Sequence, residues 1–523
     1  MKLTSLALLA GLTAVSAVPV SNVSEYEYVI IGSRPGGANL ARSGHSVFLI
    51  EVGGDHGDDI LKTVPVMGGT AAEHPEISWA FFVTHYQNQT QARRDNRLTN
   101  RFAYLLPNGT YYVGLDPPED TEPVGLLYPR GNTLGGSAQV NAADAIADST
   151  GDQSWRGEKM RNVFIELENF TYLPVESPGH GFDGLISSNR NNLSYATDLM
   201  RRDPNRVDPD RYKSSLSQMA TSKDASGRRS AARNYIIETV NARNPDGSRK
   251  YPLTVSLHSL ATRILLESRV SGSKPKKGVP GTVKATREVI VSGRVFNTPQ
   301  ILKLSGIGPR DELDALGIHI YVDLPAVGSY LFDNYEGGIS IEAASDLAVV
   351  SPCTFTFDEE DLCYQEWLIS GTGPYAEAGG PYQMLYRSSV SETENADTNA
   401  FGGTGFIFRG TWTGYSAVTY PATAFFWSVV TMQTRNRAGT VTLRSTDPRE
   451  PPKIDFNWFL EGGDEDLTAI REAIELSMGI LNMTGKPYAP LTPLETLRDS
   501  VYSHHAQDSC RMGPAGNTSY CVP

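Results

Sequence analysis

Hydrophobic positions fall into short, separated runs rather than one long amphipathic pattern. Tyr26-Glu-Tyr-Val-Ile-Ile31 is β-rich and ends at Gly32. A glycine-rich turn follows, Ala38–Ser43 has helical character, and Val47-Phe-Leu-Ile50 reads as a second buried strand ending at Glu51. The spacing predicts a compact β-turn-α-β unit. A second strand-to-helix element is expected at Glu288-Val-Ile-Val-Ser292, with Thr298 as N-cap, Pro299 at the first helical position and Gly306 as the stop. Residues 55–130 and 175–230 read as loop-rich. Beyond residue 330, short alternating runs with aromatic and Thr content predict an antiparallel sheet. One helix is expected after Asp464, with Leu467, Ile470, Ile474, Met478 and Leu481 on one face. The pattern describes a nucleotide-binding α/β unit interrupted and followed by an α+β portion that covers a substrate.

The first residues change the picture of compartment. Lys2, the apolar run Leu3 to Val15 and the small residues Val15-Ser16-Ala17 form a secretory signal pattern over residues 1–17. That run is shorter than the roughly 20 residues a helix needs to span a bilayer, and the apolar stretch Phe425–Val430 is briefer still. Seven Asn-x-Ser/Thr sequons support export: Asn22, Asn88, Asn108, Asn169, Asn192, Asn482 and Asn517. The four cysteines form two close pairs, Cys353/Cys363 and Cys510/Cys521, each able to close a small loop in an oxidising compartment. A secreted, extracellular glycoprotein is expected.

Composition then excludes whole classes. Apolar residues are 40% and charged residues 20% of 523, enough for a sizeable core and against wholesale disorder. A net charge of −13 argues against nucleic acid or an anionic membrane as partner.

Four segments carry chemistry. Gly32-Ser-Arg-Pro-Gly-Gly37 places Gly32 and Gly37 at the first and third glycine positions of a dinucleotide turn, with Glu51 where a ribose-binding carboxylate belongs. In Pro129-Arg-Gly-Asn-Thr-Leu-Gly-Gly-Ser-Ala-Gln-Val-Asn141, Gly135-Gly136-Ser137 offers bare backbone for close approach of a flat ring or phosphate. The third segment is Ser292-Gly-Arg-Val-Phe-Asn-Thr-Pro-Gln-Ile-Leu-Lys-Leu-Ser-Gly-Ile-Gly308. The fourth, His504-His505-Ala-Gln-Asp-Ser-Cys-Arg-Met-Gly513, supplies histidines, the side chain suited to removing a hydroxyl proton near neutral pH. Each segment alone also reads as an ordinary turn, a surface loop or a structural histidine pair.

Together and in this order, the four resemble the glucose-methanol-choline (GMC) oxidoreductases, with secreted fungal members nearest in pattern. Pro325-Ala-Val-Gly328, Gly371-Thr-Gly-Pro374 and Pro452-Lys-Ile-Asp-Phe-Asn457 add to the resemblance. It implies an α/β fold: a Rossmann-like FAD-binding domain with an α+β substrate portion carrying an antiparallel sheet. The boundaries expected are 25–317 for the mainly FAD-binding part, with substrate-side insertions near 146–230, and 318–523 for the substrate sheet and histidine segment. By the same resemblance Gly32, Gly37 and Glu51 hold the ADP half of FAD, and the backbone at Ala261 contacts adenine. Gly135, Gly136, Ser137 and Asn141 lie along the pyrophosphate and flavin. His505 is the base, preceded by His504. The implied partners are a small alcohol and an electron acceptor, oxygen or quinone, with hydride passing from CH–OH to flavin N5.

The chain departs from the family pattern at several places. Arg34 stands at the middle glycine position, and Gly32 to Glu51 spans nineteen residues, about four fewer than usual, which is about 6 Å of helix. Arg294 adds a second bulky cation where small residues are expected. Segments around 156–165 and 275–285 are short, and eighteen residues follow His505. The resemblance expects a final strand, an Asp contact to FAD, a second His or Asn beside the base and a closing helix there. Two other readings therefore stand beside alcohol oxidation: a same-fold flavoprotein doing lyase or cyclase chemistry, and a degenerate or misassembled inactive secreted protein.

Overall fold

The computed structural model describes residues 24–92, 94, 101–135, 157–184, 186–190, 213–266, 281–347, 352–377, 382–404, 410–485, 488–490, 497–513 and 517–521. The signal segment, Gly136, Ser137, Asn141 and the sequons Asn22 and Asn192 lie outside the described residues.

A four-stranded parallel sheet is built in the order Leu253–Ser256, Val47–Ile50, Ser24–Ile31, Val283–Val291. The register brings Ile31 level with Ile50 and Val291, and Ser256 level with Ile50. All four carboxyl ends therefore meet along one rim, the place where open α/β sheets bind ligands. The first helix, Gly36–Arg42, starts two residues earlier than the apolar pattern suggests. A side chain at Gly37 would place its Cβ 3.1 Å from Ile30 Cδ1 and 3.2 Å from Leu49 Cδ1, so a glycine is what lets this helix lie close on the sheet. Ile30, Ala38, Ala41, Val47 and Leu49 form one core with Tyr235 and Ile236 of the helix Ala232–Asn241.

The second predicted helix also begins elsewhere. It spans Arg294–Leu304, so Pro299 sits inside it rather than at its first position. Proline has no N–H to give the carbonyl four residues back. Here the Val295 carbonyl accepts from the Ser509 hydroxyl instead, which ties the histidine segment to this helix.

The stretch 55–130 is not mainly loop. It holds a four-stranded antiparallel sheet in the order Ser78–Val83, Glu122–Gly131, Ala103–Leu105, Tyr111–Val113. Its strands are short and widely spaced, which obscured their alternation, yet Phe81, Val83, Tyr104, Leu126 and Tyr128 all enter the main core. In 175–230, strands Ile186–Arg190, Ser215–Gln218 and Ala220–Thr221 are present.

Past residue 330 the expected antiparallel sheet is found. Its order is Tyr488–Pro490, Glu336–Ala343, Ala424–Thr431, Thr398–Thr404, Tyr382–Tyr386, Ser215–Gln218. The central strand Ala424–Thr431 is buried on both faces, which accounts for its continuous apolar run. Helix Gly463–Met483 covers the sheet, burying Ile470 and Ile474 and packing Leu467, Met478 and Leu481 against the core. Both cysteine pairs are disulfides, Cys353–Cys363 and Cys510–Cys521. Among the described residues no helix is long and apolar enough to cross a membrane.

Ser509→Ala leaves the Val295 carbonyl without its hydroxyl donor and should cost about 1–2 kcal/mol, read as a lower urea midpoint. Pro299→Ala in the same chain restores a backbone N–H and should recover most of that loss. A double variant no more stable than Ser509→Ala would refute this account.

Candidate active site

The histidine segment is held by backbone pairing to the chain that leads into the large sheet. Glu336 and Tyr502 exchange N–H···O bonds of 2.8 Å each, Phe332 pairs with Gln507, and Gly328 N–H donates to Ser509 O at 2.8 Å. This antiparallel alignment puts His504 and His505 beside Asp333 and Glu336.

Glu336 begins a sheet strand, and none of its surface is exposed. Its Oε1 accepts from the Ser428 and Tyr502 hydroxyls. Its Oε2 lies 3.2 Å from His504 Nδ1 and 3.7 Å from His505 Nε2. The two imidazoles stack with centroids 4.1 Å apart, and each keeps about a third of its side chain open, 35% and 38%. Asp333, also buried, accepts the His505 N–H at 2.8 Å and the Tyr128 hydroxyl at 2.6 Å. The same Tyr128 oxygen accepts the Ala506 N–H at 2.8 Å. Arg130 donates from Nη1 to the His504 carbonyl at 2.8 Å and lies over the Tyr128 ring.

These surroundings separate the two histidines. Desolvation pushes the His504 pKa down to about 4, with Glu336 opposing and His505 and Arg130 adding to the fall. Desolvation acts on His505 too, but its interaction with Glu336 and the Asp333 charge outweigh it, and its pKa is raised. Burial raises the Asp333 pKa. Glu336 is held below its ordinary value: burial opposes ionisation, and the two histidines overcome it.

The other predicted residues that fall within the described part of the chain gather at the rim of the parallel sheet. Gly32 has φ of +102°, and a Cβ there would fall 2.3 Å from the Ser292 carbonyl oxygen. Glu51 is 7% exposed and faces the turn: Oε2 accepts from the Ser33 N–H and hydroxyl, and Oε1 accepts from the Gly53 N–H at 3.0 Å. Gly135 N–H donates to the Ser33 hydroxyl at 2.8 Å, bringing the second motif onto the first. The segment carrying Ala261 leaves its strand alongside these groups, with Ser259 N–H donating to the Glu51 carbonyl at 2.9 Å. Burial, with Arg130 adding, lowers the Arg294 pKa to about 10, while Glu51 opposes.

Glu336, Asp333 and Tyr128 escaped sequence reasoning, and Arg130 was read only as part of its motif. The one available signal was two carboxylates three residues apart, Asp333 and Glu336, at the entrance to the strand Glu336–Ala343.

Family models described as GMC oxidoreductase match residues 191–336 and 434–522. An oxygen-dependent choline dehydrogenase of Pectobacterium carotovorum is 27% identical over 525 residues, covering 94% of this chain and 86% of that protein. A GMC oxidoreductase family protein, Mala s 12 of Malassezia sympodialis, is 25% identical over 495 residues, covering 86% and 76%. The chain belongs to the GMC oxidoreductase family. Its fold agrees: a structure of Aspergillus oryzae formate oxidase superposes with a TM-score of 0.69 at 18% identity, covering 94% of this chain and 90% of that one.

As a GMC oxidoreductase the protein is an FAD-dependent enzyme. The residues present fit the cofactor. At the strand ends Gly53 packs directly on the chain after the second motif's strand, so that a Cβ there would meet the Asn132 carbonyl oxygen at 2.2 Å. Asn132 Oδ1 is buried and has no hydrogen-bond partner among the described residues. Arg34, Arg130 and Arg294 lie within electrostatic reach of one another, a donor set matched to a dianionic pyrophosphate. Because a Cβ at Gly32 would fall 2.3 Å from the Ser292 carbonyl oxygen, Gly32→Ala should distort this turn, lowering both the melting temperature and the flavin content, measured as the flavin-to-protein absorbance ratio. A stoichiometric flavin content would show that the approach at Gly32 is not needed.

Proposed function

We propose that this GMC oxidoreductase oxidises the CH–OH group of a small alcohol, with His505 as the base that takes the hydroxyl proton. The observation that carries this reading is the half-open imidazole of His505 seated against a fully buried carboxylate, Glu336. FAD, when bound, supplies the hydride acceptor at N5. The work left to the protein is to hold the alcohol against His505, receive its proton and keep that ring in place. Asp333 fixes the His505 backbone, Arg130 fixes that of His504, and Tyr128 joins both supports. Electrons then pass to oxygen or a quinone. The similarity to a protein named as an oxygen-dependent choline dehydrogenase supports both the alcohol and the acceptor.

Secretion is part of the same proposal. It is supported by the N-terminal pattern, the two disulfides and the exposure of Asn88, Asn108, Asn482 and Asn517. Protein from a eukaryotic secretory host should lose mass on treatment with an N-glycan-removing amidase, and an unchanged mass would count against glycosylation.

The direct test is anaerobic mixing of the yellow protein with a panel of alcohols. Bleaching is expected with at least one, and His505→Ala should slow it by about 10²–10⁴-fold. Undiminished bleaching in that variant removes His505 as the base, and a folded but colourless protein removes the flavoenzyme reading. Because the base works in its neutral form, the rate should fall as pH drops through the His505 pKa, which lies above the ordinary histidine value. An acidic limb at or below that value would contradict the assignment.

A further inference from the structure

Three donor atoms converge where the histidine segment meets the large sheet, and hydrogen bonding leaves one of them unused. Glu336 Oε2 belongs to a side chain with no exposed surface, yet it has no hydrogen-bond partner among the described residues. A carboxylate oxygen is costly to bury unless a donor or a cation faces it. What faces this one is a pair of imidazole nitrogens, His504 Nδ1 at 3.2 Å and His505 Nε2 at 3.7 Å. The three atoms all lie within 4.8 Å of one another. A tetrahedral zinc ion with bonds of about 2.0–2.1 Å sets its ligand atoms about 3.3–3.4 Å apart, close to both distances from Oε2. Small rotations of the two imidazoles, each about a third open, adjust the remaining edge. We propose that Glu336, His504 and His505 bind a divalent transition-metal ion of the zinc class, and that this ion blocks the base.

Two nitrogens and one carboxylate oxygen suit Zn²⁺ and its first-row neighbours rather than Mg²⁺ or Ca²⁺, which take oxygen ligands. The carboxylate is already oriented for the task. Its Oε1 accepts from the Ser428 and Tyr502 hydroxyls, which contact each other at 2.8 Å, and Oε2 is left turned to the histidines. The surroundings add one charge of each sign, Asp333 on the His505 N–H and Arg130 on the His504 carbonyl, so Glu336 itself is the anion that meets the ion. A neutral imidazole has one nitrogen able to accept a proton, and a metal bound there leaves none for an alcohol. His505 therefore acts as base only in the metal-free protein. The blocking role rests on the reading of His505 as the base; the metal site does not.

The test uses the full-length flavoprotein, stripped with a chelator and dialysed against Zn²⁺ in excess Mg²⁺, with bound metal read by elemental analysis. One Zn²⁺ per chain should be retained. Glu336→Gln and His504→Ala should each weaken retention by about 10²-fold or more, since even a partner outside the coordination sphere is worth about 10–100-fold. Ser428→Ala, which loosens the anchor of the carboxylate, should weaken it by about 10-fold, and it carries the test if Glu336→Gln does not fold. Co²⁺ in place of Zn²⁺ should give visible bands beyond the flavin absorption in the wild type and not in His504→Ala. Equal retention by the wild type and all three variants, an adventitious ion only, would overturn the site, and so would no retention at all. Saturating Zn²⁺ should also slow anaerobic bleaching by an alcohol about 10²-fold, with recovery on adding chelator. Bleaching undiminished by bound Zn²⁺ would overturn the blocking role. If no alcohol bleaches the flavin while zinc retention follows the variants, the site stands and alcohol oxidation falls.

Discussion

The histidine end of this molecule depends on one buried charge. Moving an unpaired carboxylate out of water costs several kcal/mol, and Glu336 has no exposed surface with which to recover any of it. Everything around it works to offset that cost: two hydroxyls on Oε1, two imidazoles beside Oε2, and a backbone ladder that fixes the histidine segment to its strand. The same arrangement separates the histidines electrostatically, one driven neutral and the other favoured in its protonated form. A structural necessity and the asymmetry of the two rings thus share a single origin.

The cofactor end solves a different problem. The usual glycine turn lets backbone amides approach a pyrophosphate; here Arg34 occupies the middle position, and Arg130 and Arg294 stand close by. Guanidinium groups carry full charge where amide dipoles carry partial charge, and they need more room. The two ends are coupled physically. Arg130 reaches the His504 carbonyl, and the helix that starts at Arg294 receives the Ser509 hydroxyl.

Much of this was legible from local signals. The β-turn-α-β unit, the antiparallel sheet and the helix after Asp464 each have a period that survives in sequence, and they appear where expected. Pro299 misled because a helix-opening proline and a helix-interior proline look alike until the donor that replaces the missing N–H is seen, and that donor, Ser509, lies 214 residues from the Val295 carbonyl it serves. The sheet within 55–130 was hidden because its strands are too short for alternation to stand out. His505 could be found because its motif is contiguous. Glu336 could not, since a carboxylate at the head of a strand reads as solvent-facing until the fold closes over it.

Tyr128 carries a consequence for how the enzyme is made. Its hydroxyl joins Asp333, 205 residues later, to Ala506, 378 residues later, so three distant stretches must arrive before both bonds are in place. Contacts of such long sequence separation are slow to close, because the entropy of the intervening chain is lost before the bond is gained. It follows that the two strands close in sequence, Ser24–Ile31 and Val47–Ile50, can pair early while the other two strands of their sheet and the histidine segment are still unplaced. Assembly of the histidine cluster is then a late event in biogenesis, reached only after nearly the whole polypeptide has been synthesised and folded back on itself.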